Sequence, residues 1–587
     1  MEKNMMKKYS NDRNTQMLLS LMKGHGIKKV IASPGTTNLT IVGSMQHDEY
    51  FEMYSSVDER SAAYMACGLA AESGEPVAVI CTGATASRNY LPALTEAYYR
   101  KLPILVVAGS HGEEVIGHLH SQVIDRTQTP KDTIKYSAFI NPPLSKKIEW
   151  SNNVQINTAL IKLHQHGGGP VLINIVASPG ASFEVDELPS ERIIRLYNNE
   201  GGFPEMPKRK VAVFIGSHVQ MSPSTQNAID AFCRSRNAVV FCDHTSGYQG
   251  RYQVNFTLVN GLHKYDTELN HVDLLIHLGE VSGDTYTTNK LKAKEVWRVS
   301  EDGEVRDLFG MLTSVIEIKE ELFFHHYTRE SDAGDSYLEA CIAEYDKVYS
   351  KIPSLGFGNI AIAKLMAPRM PKNCVIHFGI YNSLRTWNLF RLDESIQCSC
   401  NVGGFGIDGP TSTLIGASLA TPDKLHFLVV GDLAFFYDLN ALGNRHIGSN
   451  VRILLINNGR GVEFRKKDHP GSKFGAEADF YIAAGGHFGC QSSVLVKHYA
   501  EDLGFEYLTA DSVENLQTLA ERFLTPEITE KPMLMEVFPS VENEVDNLDI
   551  LRHSLERERT ITDRLKDSAI GNIKGIVKGG LSFLKKS

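Results

Sequence analysis

The chain has 587 residues, too many for a single hydrophobic core and enough for about three to five domains. Hydrophobic residues make up 42% of it and charged residues 22%, which excludes wholesale disorder and the collagen-like and disulfide-scaffold classes. Sixty Lys and Arg against 69 Asp and Glu leave a net charge of −9, so no global basic field exists to hold nucleic acid.

From the N-terminus onward, Met1 to Arg13 is polar with no apolar region behind it. No later stretch reaches the roughly 18 apolar residues of a spanning helix, so a cytoplasmic protein is expected. The nine cysteines are scattered, and only Cys398 and Cys400 lie close together, which fits a reducing compartment rather than a zinc site or a disulfide framework. Short apolar runs ending in Gly, Ser or Asp predict buried parallel strands at Lys29–Ala32, Val77–Cys81, Ile104–Ala108 and Val171–Ile175. Helical patterns at Ser61–Glu72 and Leu91–Arg100 lie between them. This alternation predicts an α/β chain with sheets covered on both faces. Residues 186–208 turn irregular and charged around Gly201–Gly202 and read as a linker.

A second block, 209–350, has predicted strands at Val211–Ile215, Ala238–Cys242, Leu274–Leu278 and Glu295–Ser300, and the helical segment Leu338–Lys351 leads out of it. A third, 351–550, has them at Cys374–Phe378, Leu425–Val430, Val451–Asn457 and Met533–Val537, and it reads as an architecture similar to the first block, 1–185. The expected fold is thus three doubly wound parallel-sheet domains. Residues 551–587 form a basic tail, in which Lys566–Ser587 holds five lysines against Asp567. An amphipathic helix on a membrane surface is one reading of it. Four glycines favour the other, a frayed or self-docking terminus.

The chemistry concentrates in the third block. Val429-Val430-Gly431-Asp432-Leu433 ends one predicted strand, and Leu455-Ile456-Asn457-Asn458-Gly459 ends another 25 residues on. Carboxyl ends of neighbouring strands meet in the ligand crevice of an open α/β sheet. Asp432, the Asn457 side-chain oxygen and a carbonyl near Gly459 are therefore candidate hard ligands for Mg²⁺ and a phosphate-bearing cofactor. The alternative is that Asp432 caps the next helix and the Asn pair forms a turn.

The Gly-Asp-x and Asn-Asn pair resembles the diphosphate and Mg²⁺ motif of the thiamine-diphosphate-dependent 2-oxoacid decarboxylase and carboligase family. Other motifs agree in chain order. Val57-Asp58-Glu59-Arg60-Ser61-Ala62-Ala63-Tyr64 resembles the family's glutamate signature, and Ser33-Pro34-Gly35, Thr82-Gly83-Ala84-Thr85 and Tyr90-Leu91-Pro92-Ala93 resemble its pyrimidine-binding domain. Asn382-Ser383 and Gly403-Gly404-Phe405-Gly406-Ile407-Asp408-Gly409 complete the set. The resemblance implies a pyrimidine, central and diphosphate domain order, with thiamine diphosphate and Mg²⁺ as cofactors. It implies Glu59 at the aminopyrimidine N1′, the Phe405 carbonyl at the 4′-amino group and Ile407 as the wedge under the bent cofactor. Gly83, Asn382, Ser383, Gly431 and Leu433 are its further cofactor contacts, Asp432, Asn457 and Gly459 its metal ligands, and Gln122 sits where one subgroup has an active-site glutamine.

The Gly-Ile-Asp-Gly and Asp-Glu-Arg runs are most similar to the menaquinone-pathway synthases, which decarboxylate 2-oxoglutarate and add the product unit to isochorismate. Their substrate-binding arginines are missing. Thr36 and Thr37, Trp387, Val402 and the Ser110-His111 region stand in their places. Each lost ionic hydrogen bond is worth about 1.5–3 kcal/mol, so a different substrate is expected, with a less anionic acceptor. Replacement cations near the motifs are His111, Arg385, Arg391, Arg460 and Arg465.

Glu463 follows the Asn457 motif where simple 2-oxoacid decarboxylases carry a proton-handling glutamate. Either it is a buried general acid of raised pKa, or it pairs with Arg460 or Lys466. The resemblance implies a 2-oxo acid decarboxylase that transfers the acyl-anion unit to an acceptor. The alternatives are a nonoxidative decarboxylase releasing an aldehyde and a non-catalytic protein of the same fold. A homodimer or dimer of dimers is implied as well. No flavin is expected in the central block, because only Gly216-Ser217-His218 follows its first strand.

Overall fold

A computed structural model describes residues 8–126, 128–198, 202–207, 210–486 and 492–555. The chain forms two compact units, one from the residues up to Glu205 together with Glu295–Ile318, the other from Met206–Lys294 together with the chain from Lys319 onward.

In the first unit, six parallel strands lie in the order Glu52–Ser55, Lys29–Ala32, Val77–Thr82, Ile104–Ser110, Val171–Val176, Tyr136–Ile140. Side chains alternate across a strand, and two separate cores result. Val30, Ala78, Ile80, Leu105 and Val107 pack with residues of the helices Arg13–Gly24 and Lys146–Lys162. On the opposite face Ile31, Val77, Val79, Ile104 and Val106 pack with the helices Glu59–Ser73 and Leu91–Arg100. Both faces are dry, which is why the strands read as continuous Val, Ile and Leu. The stretch read as a linker carries the strand Arg195–Tyr197, paired in parallel with Leu312–Glu317, which in turn pairs with Val296–Ser300.

The second unit holds the parallel strands Gln253–Val254, Val240–Cys242, Val211–Ile215 and His271–Leu278 in that order. It also holds a second six-stranded parallel sheet, ordered Gln397–Cys400, Val375–Phe378, His426–Gly431, Val451–Ile456, Met533–Val537, Glu506–Ala510. Ranked by chain position, both six-stranded sheets read second, first, third, fourth, sixth, fifth. The direction of winding reverses between the first and third strands of each, and ligands of open α/β sheets bind beyond the strand ends there.

The basic segment Lys566–Ser587 lies outside the described residues. Among those described, no helix is long and apolar enough to cross a membrane.

Candidate active site

Strands His426–Gly431 and Val451–Ile456 pair with Gly431 opposite Ile456, so Asp432 and Asn457 leave the sheet side by side. Asp432 is only 5% exposed and stands in the first turn of the short helix Asp432–Tyr437, where Gly431, not Asp432, is the N-cap. Its carboxylate accepts from the Leu433 amide at 2.8 Å and from the amides of Gly459 and Arg460, which draws the second loop onto the first. Burial pushes its carboxyl up to about 7, against the pull of those amides. Gly459 takes φ +78°, a conformation that suits glycine.

Asn457 is oriented by two residues that the sequence reading missed. Its Nδ2 donates to Oε1 of buried Glu536 at 2.7 Å, and the Tyr507 hydroxyl donates to the other Glu536 oxygen at 2.7 Å. With the amide nitrogen committed, the side-chain oxygen is the end left to serve a cation. The available signal was an acid inside the otherwise apolar strand Met533–Val537. Among the described residues, no group of three or more His, Cys, Asp and Glu gathers. The chain offers instead one carboxylate, one carboxamide oxygen and one carbonyl, a hard donor set of the kind Mg²⁺ shares with water and phosphate. These residues fit the implied metal. A Cβ on Gly431 would meet nothing within 4 Å, so the strand end is open where a diphosphate would lie.

Near these strand ends Tyr381 and Phe405 take positive φ, +62° and +53°, with their rings edge to face at 6.0 Å. Such conformations cost about 1–3 kcal/mol and concentrate at ligand sites. Tyr381 precedes the helix Asn382–Trp387, in which Ser383 is buried and the Asn382 side-chain oxygen accepts from Lys466 Nζ at 2.6 Å. Ile407 is partly buried against the core that holds Leu428 and Val430 of the neighbouring strand.

The raised pKa considered for Glu463 is corrected by its partners. Glu463 Oε1 accepts from Arg385 Nη1 at 2.6 Å and Oε2 from Lys466 Nζ at 2.9 Å. Burial favours the neutral acid, but these two cations outweigh it and hold the carboxyl below its ordinary range. The pairing alternative therefore describes this side chain, with Lys466 as expected and Arg385 in place of Arg460.

In the first unit, Glu59 is the first residue of the helix Glu59–Ser73, behind the N-cap Asp58, whose side chain accepts from the amides of Arg60 and Ser61. Glu59 is half-buried, and Asn89 Nδ2 donates to its Oε2 at 2.9 Å, a contact not foreseen from the sequence. Gly83 follows the strand Val77–Thr82, with its carbonyl accepting from buried Arg126 at 2.7 Å. A Cβ at Gly83 would lie 2.8 Å from the Gly109 carbonyl and 3.1 Å from the Arg126 guanidinium. Gln122 is exposed, at φ +61°.

Residues 13–129 match the thiamine pyrophosphate enzyme N-terminal TPP binding domain. Over 94% of this chain and the whole of the relative, the sequence is 31% identical to the 2-succinyl-5-enolpyruvyl-6-hydroxy-3-cyclohexene-1-carboxylate synthase of Bacteroides thetaiotaomicron. The chain belongs to the thiamine pyrophosphate enzymes. Synthases of the same name from Bacteroides fragilis (30% identical, 93% of this chain and all of the relative) and Phocaeicola vulgatus (29%, 94% and all) are similar along their whole lengths.

In this thiamine pyrophosphate enzyme, the residues expected to stand in place of the synthases' arginines lie mostly in buried places. Trp387 is fully buried against Phe378 at 5.8 Å, and Val402 is buried. The Thr37 hydroxyl donates to the Gly109 carbonyl at 2.7 Å. The four replacement arginines each face an acid. Arg385 pairs with Glu463, Arg391 with Asp346 at 3.0 Å, Arg465 with Asp479 at 3.1 Å, and Arg460 contacts the same Asp479. His111 is exposed.

Proposed function

We propose that the enzyme decarboxylates a 2-oxo acid with thiamine diphosphate and Mg²⁺ and transfers the resulting acyl unit to an acceptor, on substrates less anionic than those of the menaquinone-pathway synthases. The observation that carries the reading is the pairing of Asp432 and Asn457 at adjacent strand ends, with Gly459 folded over them. Asp432, the Asn457 side-chain oxygen and the Gly459 carbonyl would hold Mg²⁺. Asn382, Ser383, Gly431 and Leu433 would hold the diphosphate. Thiamine diphosphate, when bound, supplies the electron sink for breaking the bond to the carboxylate.

The chain's own part is orientation and proton handling. Glu59, steadied by Asn89, would exchange a proton with the N1′ atom of the pyrimidine. The Phe405 carbonyl would accept from the 4′-amino group, Ile407 would support the bend, and Gln122 would face the substrate. Glu463 enters as an ionised anchor that keeps Arg385 and Lys466 beside Asn382, not as a proton donor. The less anionic substrate is supported by Trp387 and Val402, which are buried and uncharged where the synthases carry arginine, and by the acid partner of every nearby replacement arginine. At least a homodimer is part of the proposal.

The test is CO₂ release from a panel of 2-oxo acids with Mg²⁺ and thiamine diphosphate, comparing wild type with Glu59→Gln. Release from one acid, lowered about 10²- to 10⁴-fold in the variant, supports the reading and names the donor. Preference for 2-oxoglutarate would remove the claim of a changed donor. Aldehyde formation undiminished by any acceptor would replace transfer by simple decarboxylation, and no release from any acid, with or without acceptors, would overturn the activity.

A further inference from the structure

Two asparagine side chains enter the cofactor site proposed above, and the chain turns them in opposite directions. An acid, Glu536, takes the nitrogen of Asn457 and leaves its oxygen. At Asn382 a base takes the other end, because Oδ1 accepts from Lys466 Nζ at 2.6 Å. An ammonium group only donates, so the atom it meets is the carboxamide oxygen and Nδ2 is turned away from it. Asn382 is half-buried, and among the described residues its Nδ2 has no hydrogen-bond partner. A free N–H donor suits a phosphate oxygen, which only accepts.

Both ends of this contact are fixed. Lys466 Nζ also donates to Glu463 Oε2 at 2.9 Å, and its side chain is only 15% exposed. Glu463 is held ionised by Lys466 and Arg385, so the ammonium is anchored against a standing charge. On the main-chain side, the Asn382 carbonyl accepts from Asn359 Nδ2 at 3.2 Å, and the Asn359 amide donates to Oε1 of buried Glu544 at 3.0 Å. Glu544 stands on the helix Val541–Arg552, whose Asn547 exchanges hydrogen bonds of 3.0 and 2.8 Å with the Gly356 backbone. Turning the Asn382 carboxamide over would set its NH₂ group against the Lys466 ammonium, donor facing donor, and forfeit a charge-assisted hydrogen bond.

We propose that Lys466 is a positioning residue for the cofactor diphosphate, which turns the Asn382 carboxamide so that Nδ2 donates to a phosphate oxygen. The inference rests on the cofactor reading above and adds to it which end of Asn382 serves the diphosphate and which residue decides this.

The experiment measures thiamine diphosphate binding to the full chain with Mg²⁺ by titration calorimetry. Binding should weaken about 10- to 100-fold in Lys466→Met. Asn382→Asp keeps an oxygen for Lys466 but offers the phosphate a second oxygen in place of the donor, so it should weaken binding at least as much. The double variant Lys466→Met/Asn382→Ala should bind no more weakly than Asn382→Ala alone, because Lys466 acts through Asn382. Unchanged binding in Lys466→Met, unchanged or tighter binding in Asn382→Asp, or losses that add in the double variant would each overturn the proposal while leaving the cofactor reading in place. Asn382→Asp decides the matter if Lys466→Met does not fold. Absence of thiamine diphosphate binding by the wild type would overturn the cofactor reading and this inference with it.

Discussion

The two six-stranded sheets share strand order and direction and differ in what they carry. After the third strand the first sheet has Gly83 and the other has Asp432; after the fourth, one has His111 and the other Asn457. The contrast extends into the strands. The first sheet's central strands bury little that is polar beyond Asn174 and Ser110, whereas the second sheet buries His377, His426, Arg452 and Glu536. The shared hydrophobic pattern sets the architecture, and the residues placed at equivalent strand ends give each sheet its chemistry.

The contrast can be tested by exchanging one sheet's feature for the other's. Asp432→Gly gives the second sheet the residue type found after the third strand of the first, and Mg²⁺-dependent binding of thiamine diphosphate should weaken more than about 100-fold by titration calorimetry. Unchanged binding would remove the chemical distinction. Glu536→Leu frees the Asn457 carboxamide to rotate, so Mg²⁺ affinity should fall about 10- to 100-fold, with a smaller loss in Tyr507→Phe. Mn²⁺ titration followed by electron paramagnetic resonance reads this without turnover.

Gly83, just past the third strand of the first sheet, and Gly431, the last residue of that strand in the second, should also respond differently. Gly83→Ala forces a Cβ against the Gly109 carbonyl and should lower stability by about 1–3 kcal/mol. Gly431→Ala meets open space and should stay within about 0.5 kcal/mol in urea unfolding. The smallest effect concerns acid. Burial lowers the His377 pKa to about 4 from an ordinary 6.5. Between those values the unfolded chain binds a proton that the folded one refuses, so stability falls as pH drops through that window. His377→Gln should flatten this part of the slope, and an unaltered slope would assign the acid sensitivity elsewhere.

What the sequence revealed follows burial. The central strands Lys29–Ala32, Val211–Ile215 and Met533–Val537 match their predicted bounds, since both faces are covered and apolar residues run unbroken. The unpredicted strands Glu52–Ser55, Tyr136–Ile140, Gln397–Cys400 and Glu506–Ala510 are the edges of the two six-stranded sheets. Each is partly exposed, so neither an apolar run nor a clean alternation marked it. Asp432 and Asn457 were legible because strand ends announce themselves locally. Glu536, Tyr507 and Asn89 were not, because each acts on a residue about 30 to 80 positions away. The direction of the Glu463 shift depended on Arg385, 78 positions distant, which spacing could not supply.

The left-side backbones at Tyr381 and Phe405 have a bearing on evolution in the laboratory. Glycine would adopt these conformations with less strain, so selection for heat resistance alone should enrich it at both positions. The loss of the two side chains would also free the loops on which Asn382, Ser383 and Ile407 stand. Variants that gain thermal tolerance there should hold the cofactor more loosely, and a breeder of this enzyme would meet stability and turnover pulling in opposite directions.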